Sequence, residues 1–408
     1  MLAQPFRPIR AGNSGHCSAA ATLPRVITGD LDQALATTVT SAGTWRPALA
    51  GTARGPRTYA TTIAFRLVGV HTGGPDGPRA VAAGLAARLR GLSWVEAATV
   101  AGEGYLVVTV TADALACLAV RITEAGPTCD HSSALAGTGL TAPAAVGLAS
   151  ARTWEEARQR VHAAVTGRLA EAAGAHVKTQ DDAERIAAPD SPAGVGATSV
   201  VAEAIAYAGA DAVTYALARL PPRGPVRLDA HLAAAHHLGN PAYAVRYAHA
   251  HAASTLRQAA DLGLGLGEAA RFQPRLLTHP SEQALLHELS WLPERVAGAA
   301  RRRRPDAFAH YLEGLAGAYF DCQEACPAVP PGTGRSGTGL SGTGLSGTGL
   351  PGTGLPGTAL PGTGPPATAR PGEPAAGAGP ARLWLVAAAR TALRAGLDRL
   401  GVAAPDRL

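Results

Sequence analysis

The sequence predicts an α+β protein: a small N-terminal α/β domain, a short α/β middle segment, and a C-terminal α-helical bundle interrupted by a Gly/Thr/Pro repeat. Three observations carry this. Residues 381–408, ARLWLVAAARTALRAGLDRLGVAAPDRL, place Val386, Ala389, Leu393, Leu397 and Leu400 at helical spacing, with a glycine stop at Gly401 and Pro405 beyond it. Residues 95–115 alternate apolar and polar positions on either side of a turn at Gly102 and Gly104, the pattern of two strands. Residues 331–365 repeat a five-residue unit that always carries glycine and usually proline or serine, so neither helix nor strand can persist there.

A chain of 408 residues suffices for two or three domains. Hydrophobic residues at 47% allow a sizeable core, but with aromatics at only 4% its packing should rest on aliphatic helix–helix contacts. The net charge of +6 permits a polyanionic partner without requiring one. Five cysteines with no CxxC pair argue against a zinc or disulfide framework, and Cys322 and Cys326, four apart on a helix, should face a core. No apolar run reaches membrane-spanning length, and the basic N-terminus lacks the apolar stretch of a secretory signal. A cytoplasmic location is the expectation.

In chain order, residues 1–27 read as a disordered tail. Residues 28–125 form the N-terminal α/β domain, with helices at 31–42 and 79–92 ahead of the strand pair; Val81, Leu85 and Leu89 mark the second helix. Residues 126–225, rich in Ala, Gly and Thr, show helices at 153–173 and 199–219. Residues 226–408 are helical. Asn240 and Pro241 suit the N-cap and first position of a helix running to about Gly263. Helices follow at 281–291, 293–303 and 305–325, with an apolar stripe of Leu285, Leu286, Leu289 and Leu292. The repeat-bearing insert, 328–380, reads as a disordered linker between the last two helices. Its closure cost grows only logarithmically with length.

Several stretches resemble the arginyl-tRNA synthetase family. LGNPAYAVRYAHAHAASTLRQAADLG (238–263) resembles the NP-x-x-YVQYAHAR helix that opens that family's DALR-type anticodon-binding domain. Asn240, Pro241, Val245, Tyr247, Ala248, His249 and Ala250 match, whereas Arg246 replaces a glutamine and His251 an arginine. GADAVTYALAR (209–219) resembles the G-x-DALRY junction, with Thr214 at the motif's arginine. HYLEGLAGAYFDCQEAC (310–326) and the final helix with its GV-x-AP-x-R tail resemble the end of the domain. RTYATTIAFRL (57–67) and VAGEGYLVVTV (100–110) resemble the family's N-terminal domain, although Thr62 and Val107 stand where it has asparagines.

The resemblance implies that 126–225 is a shrunken remnant of a class I synthetase core. Such a core needs a HIGH sequence at a helix N-terminus, where histidines and the helix dipole meet ATP phosphate, and a lysine-bearing loop that stabilises charge as the adenylate forms. Here the helix begins Arg152-Thr153-Trp154-Glu155-Glu156, and the loop position, 190–194, has no lysine; none occurs after Lys178. The implied protein is a paralogue without catalytic residues, cofactor or metal, bound to tRNA or a tRNA-like RNA. One alternative is a protein-interaction module docking on a synthetase or other enzyme. Another is an active arginine–tRNA ligase using ATP with relocated residues.

The candidate tRNA-binding residues are Tyr243, Arg246, Tyr247, His249, Arg382, Arg390 and Arg394, with Tyr59 in the N-terminal domain. Aromatic rings beside arginine suit stacking on unpaired bases; packing of the two tyrosines inside the bundle is the alternative. The arginine run 301–304 could meet phosphates or complement a helix dipole. His236 with His237, and His249 with His251, do not share a helix face, so no metal site is expected. No GxSxG or Walker sequence is present.

Overall fold

The computed structural model describes residues 45–47, 57–65, 67, 77–143, 147–180, 199–329 and 377–408. The expected tail at 1–27, the helix at 31–42, the loop at 190–194 and the repeat at 331–365 lie outside the described residues.

The N-terminal unit is a four-stranded antiparallel sheet with strands β1 (Trp45–Pro47), β2 (Thr58–Thr61), β3 (Val95–Ala101) and β4 (Tyr105–Val110) in the order β1-β2-β4-β3. Alternation on β4 buries Leu106, Val108 and Val110 against helix α1 (Gly77–Leu89). Two short helices follow, α2 (Ala112–Ala116), capped by the Thr111 hydroxyl, and α3 (Leu118–Ala125).

The middle segment contains one βαβ crossover. Strands β5 (Gly139–Pro143) and β6 (His176–Gln180) run parallel, joined through helix α4 (Trp154–Ala172). A parallel pair requires such a crossover connection. The expected single helix at 199–219 is two helices, α5 (Val200–Ala208) and α6 (Ala210–Arg219), bent by 116°. Gly209 sits at the break with φ 85°, which breaks the helix where apolar periodicity alone suggested continuity. Among the described residues, no single helix is long and apolar enough to cross a membrane.

The C-terminal bundle comprises α7 (Ala230–Ala234), α8 (Pro241–Asp261), α9 (Pro280–Ser290), α10 (Leu292–Arg302), α11 (Pro305–Ala325) and α12 (Gly379–Leu400). The Asn240 side chain caps α8 by accepting from the Ala242 amide, and Gly401, in the left-handed region, ends α12. Helix α12 is buried on nearly all sides, between α8, α11 and α3. It approaches α11 so closely that a Cβ at Gly396 would overlap the Leu312 side chain. The start of the middle segment is fastened to this helix by Asp130, whose buried carboxylate takes two hydrogen bonds from Arg399, at 2.6 and 3.0 Å. Cys322 and Cys326 are buried free thiols, as expected. Cys117, by contrast, is disulfide-bonded.

Candidate nucleic-acid interface

Positions 243, 247 and 251 recur every four residues along α8, so their side chains share a face. On that face the rings form a row. His236 stacks on Tyr243 at 5.5 Å between centroids, and Tyr243 on Tyr247 at 5.6 Å with only 10° between planes. Tyr247 stacks on Phe320 of α11 at 5.8 Å. His236 is exposed, and Tyr243, Tyr247 and Phe320 are half-buried. The two tyrosine hydroxyls have no hydrogen-bond partner among the described residues. The inner end is fixed by His251, whose Nδ1 lies 2.8 Å from the buried Tyr319 hydroxyl and whose pKa burial pushes below the ordinary histidine value. A row of π-faces, anchored at one end and open at the other, can extend its stack onto planar rings supplied from outside.

The remaining candidates divide. Arg394 is exposed and without an ion pair among the described residues. Arg390 is partly exposed and bonds Asp406 at 2.8 Å. Arg246 reaches α6, where its guanidinium lies 3.5 Å from the Asp211 carboxylate.

Three candidates are corrected, because the structure removes them from solvent. His249 is fully buried, its Nδ1 3.0 Å from the Pro405 carbonyl, and with Arg257 and Arg390 it clamps the C-terminal tail onto the bundle. Arg382 donates from Nε to the buried Glu282 at 2.8 Å. Tyr59 is fully buried, donates to Ser290 at 2.8 Å and packs on Trp291, so it joins the N-terminal sheet to α9. Burial holds its phenol far above the ordinary tyrosine range. His236 and Phe320, which complete the aromatic row, were not among the candidates. Phe320 lies on another helix, and only the α8–α11 contact brings it alongside.

The start of α4 is partly satisfied from within. The Thr153 hydroxyl accepts from the Glu156 amide at 3.2 Å, and the Glu156 carboxylate accepts from the Arg152 amide at 2.9 Å. Glu155 bonds Arg158, and Glu156 bonds Arg160. The Arg158 bond lowers the Glu155 pKa, and the Arg152 amide that of Glu156. Both carboxylates are therefore anionic at neutral pH, at the helix end where a phosphate would otherwise be favoured.

The geometry thus defines a helical bundle with a ring-lined face, packed on a βαβ unit and joined directly to a small antiparallel sheet through Tyr59. Residues 245–332 match the DALR anticodon binding domain family. An arginine–tRNA ligase of Paenarthrobacter aurescens is 34% identical over 204 residues, which make up 50% of this chain and 30% of that protein. One of Micrococcus luteus is 40% identical over 126 residues, 31% of this chain and 22% of that protein. The chain therefore spans less than a third of these relatives' length. Among solved structures, the Thermus thermophilus arginyl-tRNA synthetase superposes with a TM-score of 0.57 at 14% identity, covering 95% of this chain and 100% of that one. The chain carries a DALR anticodon-binding domain, is homologous to arginyl-tRNA synthetases over about half its length, and shares their mixed, mainly helical fold.

Proposed function

We propose that this chain is a non-catalytic tRNA-binding protein related to arginyl-tRNA synthetase, which holds unpaired bases of tRNA or a tRNA-like RNA on the Tyr243 and Tyr247 face. The aromatic row is the observation that carries the reading. It is half-exposed and preorganised by stacking, and two of its rings, Tyr247 and Phe320, lie within the residues that match the anticodon-binding domain. Arg394 supplies a cation on the same bundle for the phosphate backbone. The loss of aminoacylation is supported by the absence of a HIGH sequence and by the two anionic glutamates at the start of α4. On this reading the protein needs neither ATP nor a metal and works in the cytoplasm, where tRNA is found.

A second reading has one observation in its favour. Leu232 and Leu238 are 65% and 57% exposed near the open end of the row, and apolar groups of that kind suit a protein partner such as a synthetase. Two assays separate the readings. With arginine, ATP and tRNA, the purified chain should form no charged tRNA and show no arginine-dependent pyrophosphate exchange. In a gel-shift series it should bind total tRNA at low ionic strength. Turnover proportional to protein that survives a Glu155→Ala, Glu156→Ala double change would establish an active ligase instead.

A further inference from the structure

A cavity of about 340 Å3, sharing no residue with the aromatic row, lies between β5, the flank of α4, the 221–224 turn and the end of α10. Its walls include Thr141, Arg158, His162, Thr166, Pro222 and Arg303. Arg158 is 4% exposed and rigidly held. Its Nη1 donates to the Pro221 and Gly224 carbonyls at 3.0 and 2.9 Å and its Nη2 to Glu155 at 2.6 Å, while its buried Nε has no partner. His162 lies with Nε2 3.0 Å from the Leu217 carbonyl, which commits that nitrogen as the donor and leaves Nδ1 without a partner among the described residues.

Arg303 is the most informative wall residue. It is the one non-glycine residue at positive φ among the described residues (φ 51°, ψ 49°), at the C-cap of α10. Glycine takes this conformation without strain, whereas other residues do not. Its side chain is exposed and has no ion pair among the described residues, although the neighbouring Arg304 is paired with Asp306. Lys178, exposed on β6, stands directly opposite Thr141 in the parallel register. The two nearby carboxylates are each neutralised, Glu155 by Arg158 and Asp306 by Arg304. Among the described residues the mouth is left with an unbalanced positive charge.

We propose that this cavity binds a phosphate group, carried either by a mononucleotide or by the RNA backbone. An arginine fork matches phosphate oxygens in pairs. The volume is at the lower end for small-molecule sites, adequate for a nucleotide. The site is separate from the start of α4, where the Glu155 and Glu156 carboxylates stand. The RNA source rests on the tRNA-binding reading; the mononucleotide source does not.

The test uses the full chain and Arg303→Gly, which removes the cation while relieving the left-handed backbone. Its melting temperature should hold or rise, so lost binding is not lost folding. The probes are inorganic phosphate and AMP by titration calorimetry, and total tRNA across a salt series. If a mononucleotide is the source, Arg303→Gly weakens AMP and phosphate binding at least about tenfold, and Arg303→Lys recovers part of it, since a charge worth 1.4 kcal/mol corresponds to about tenfold. If the RNA backbone is the source, the log–log salt slope for tRNA flattens by about 0.7–0.9. AMP binding that depends on Arg303, with no tRNA binding by the wild type, sinks the tRNA reading and leaves the cavity standing. Unchanged AMP affinity and an unchanged tRNA slope in Arg303→Gly, or no binding of any probe by the wild type, overturns the proposal.

Discussion

Glu282→Gln, which keeps the side chain's shape and removes its charge, should destabilise the protein by about 3–5 kcal/mol. Glu282 is 1% exposed and the Arg382 side chain 10%. One carboxylate oxygen accepts from Arg382 Nε at 2.8 Å, and the other from the His279 amide at 2.9 Å, where it completes the cap of α9. Glutamine can keep one of these bonds but leaves the guanidinium without a countercharge. Arg382 has little else to turn to. Its Nη2 is buried without a partner, and Nη1 reaches only the Pro327 carbonyl, at 3.5 Å. The adjacent Cys326 cannot substitute, because burial pushes its thiol up to about 11 and keeps it neutral. Arg382→Met and Glu282→Met should each cost a similar amount. The double change Glu282→Met, Arg382→Met should cost no more than either methionine change alone, because an apolar pair leaves no buried charge; the coupling energy would be about 3 kcal/mol or more. Urea unfolding of the wild type, Glu282→Met, Arg382→Met and the double variant measures this. If Arg382→Met leaves the midpoint unchanged but flattens the salt dependence of tRNA binding, the guanidinium serves RNA and the structural assignment is refuted.

Two further outcomes follow from the same packing. Deleting 331–370 should leave the bundle intact and raise its stability by up to about 1.4 kcal/mol, because it shortens the connection between Ala328 and Gly379 about fivefold. The Ala328 carbonyl oxygen lies 3.8 Å from where a Cβ on Gly379 would sit, so a short linker spans the ends; a large drop in melting temperature would show that the repeat packs. Burial lowers the pKa of His162, His249 and His251, so the folded protein holds them neutral while the unfolded chain protonates near pH 6.5. Their contribution is complete above pH 6.5 and lost as pH falls below it, by at most about 1.4 kcal/mol per pH unit each and less for the partly exposed His162 and His251. Glu288 and Glu294, raised by burial, act in the opposite sense at lower pH, so unfolding midpoints between pH 5.5 and 8 are the check. His249→Gln should flatten that slope, and a slope unaffected by it would remove His249 from the account.

The helices were legible where the chain carries explicit stops and starts. Asn240 and Pro241 set the beginning of α8, and Gly401 the end of α12, to the residue. Strands β5 and β6 were not legible, because GLTAP and HVKTQ are short and show no clean alternation. The break at Gly209 was missed because the apolar pattern runs through it. For the interface, the spacing of Tyr243 and Tyr247 revealed their common face, but residue type alone could not say which arginines meet water. Arg382 lay on the polar side of the periodic pattern, yet α12 is enclosed by α3, α8 and α11 and turns almost no face to solvent. His249 and Tyr59 went astray for the same reason: their partners, Pro405 and Ser290, are remote in sequence.

The central claim is that stacked tyrosines, supported by cations on the same bundle, hold RNA. Equilibrium binding of the full chain to total tRNA, measured across a salt series for the wild type and Tyr243→Ala, tests it most directly. The account predicts binding that weakens linearly on a log–log plot as salt rises, and a loss in Tyr243→Ala of about 1–3 kcal/mol that is the same at every salt concentration. Wild-type protein that binds no tRNA even at low ionic strength, or a Tyr243→Ala variant that binds as tightly as the wild type throughout, would contradict it.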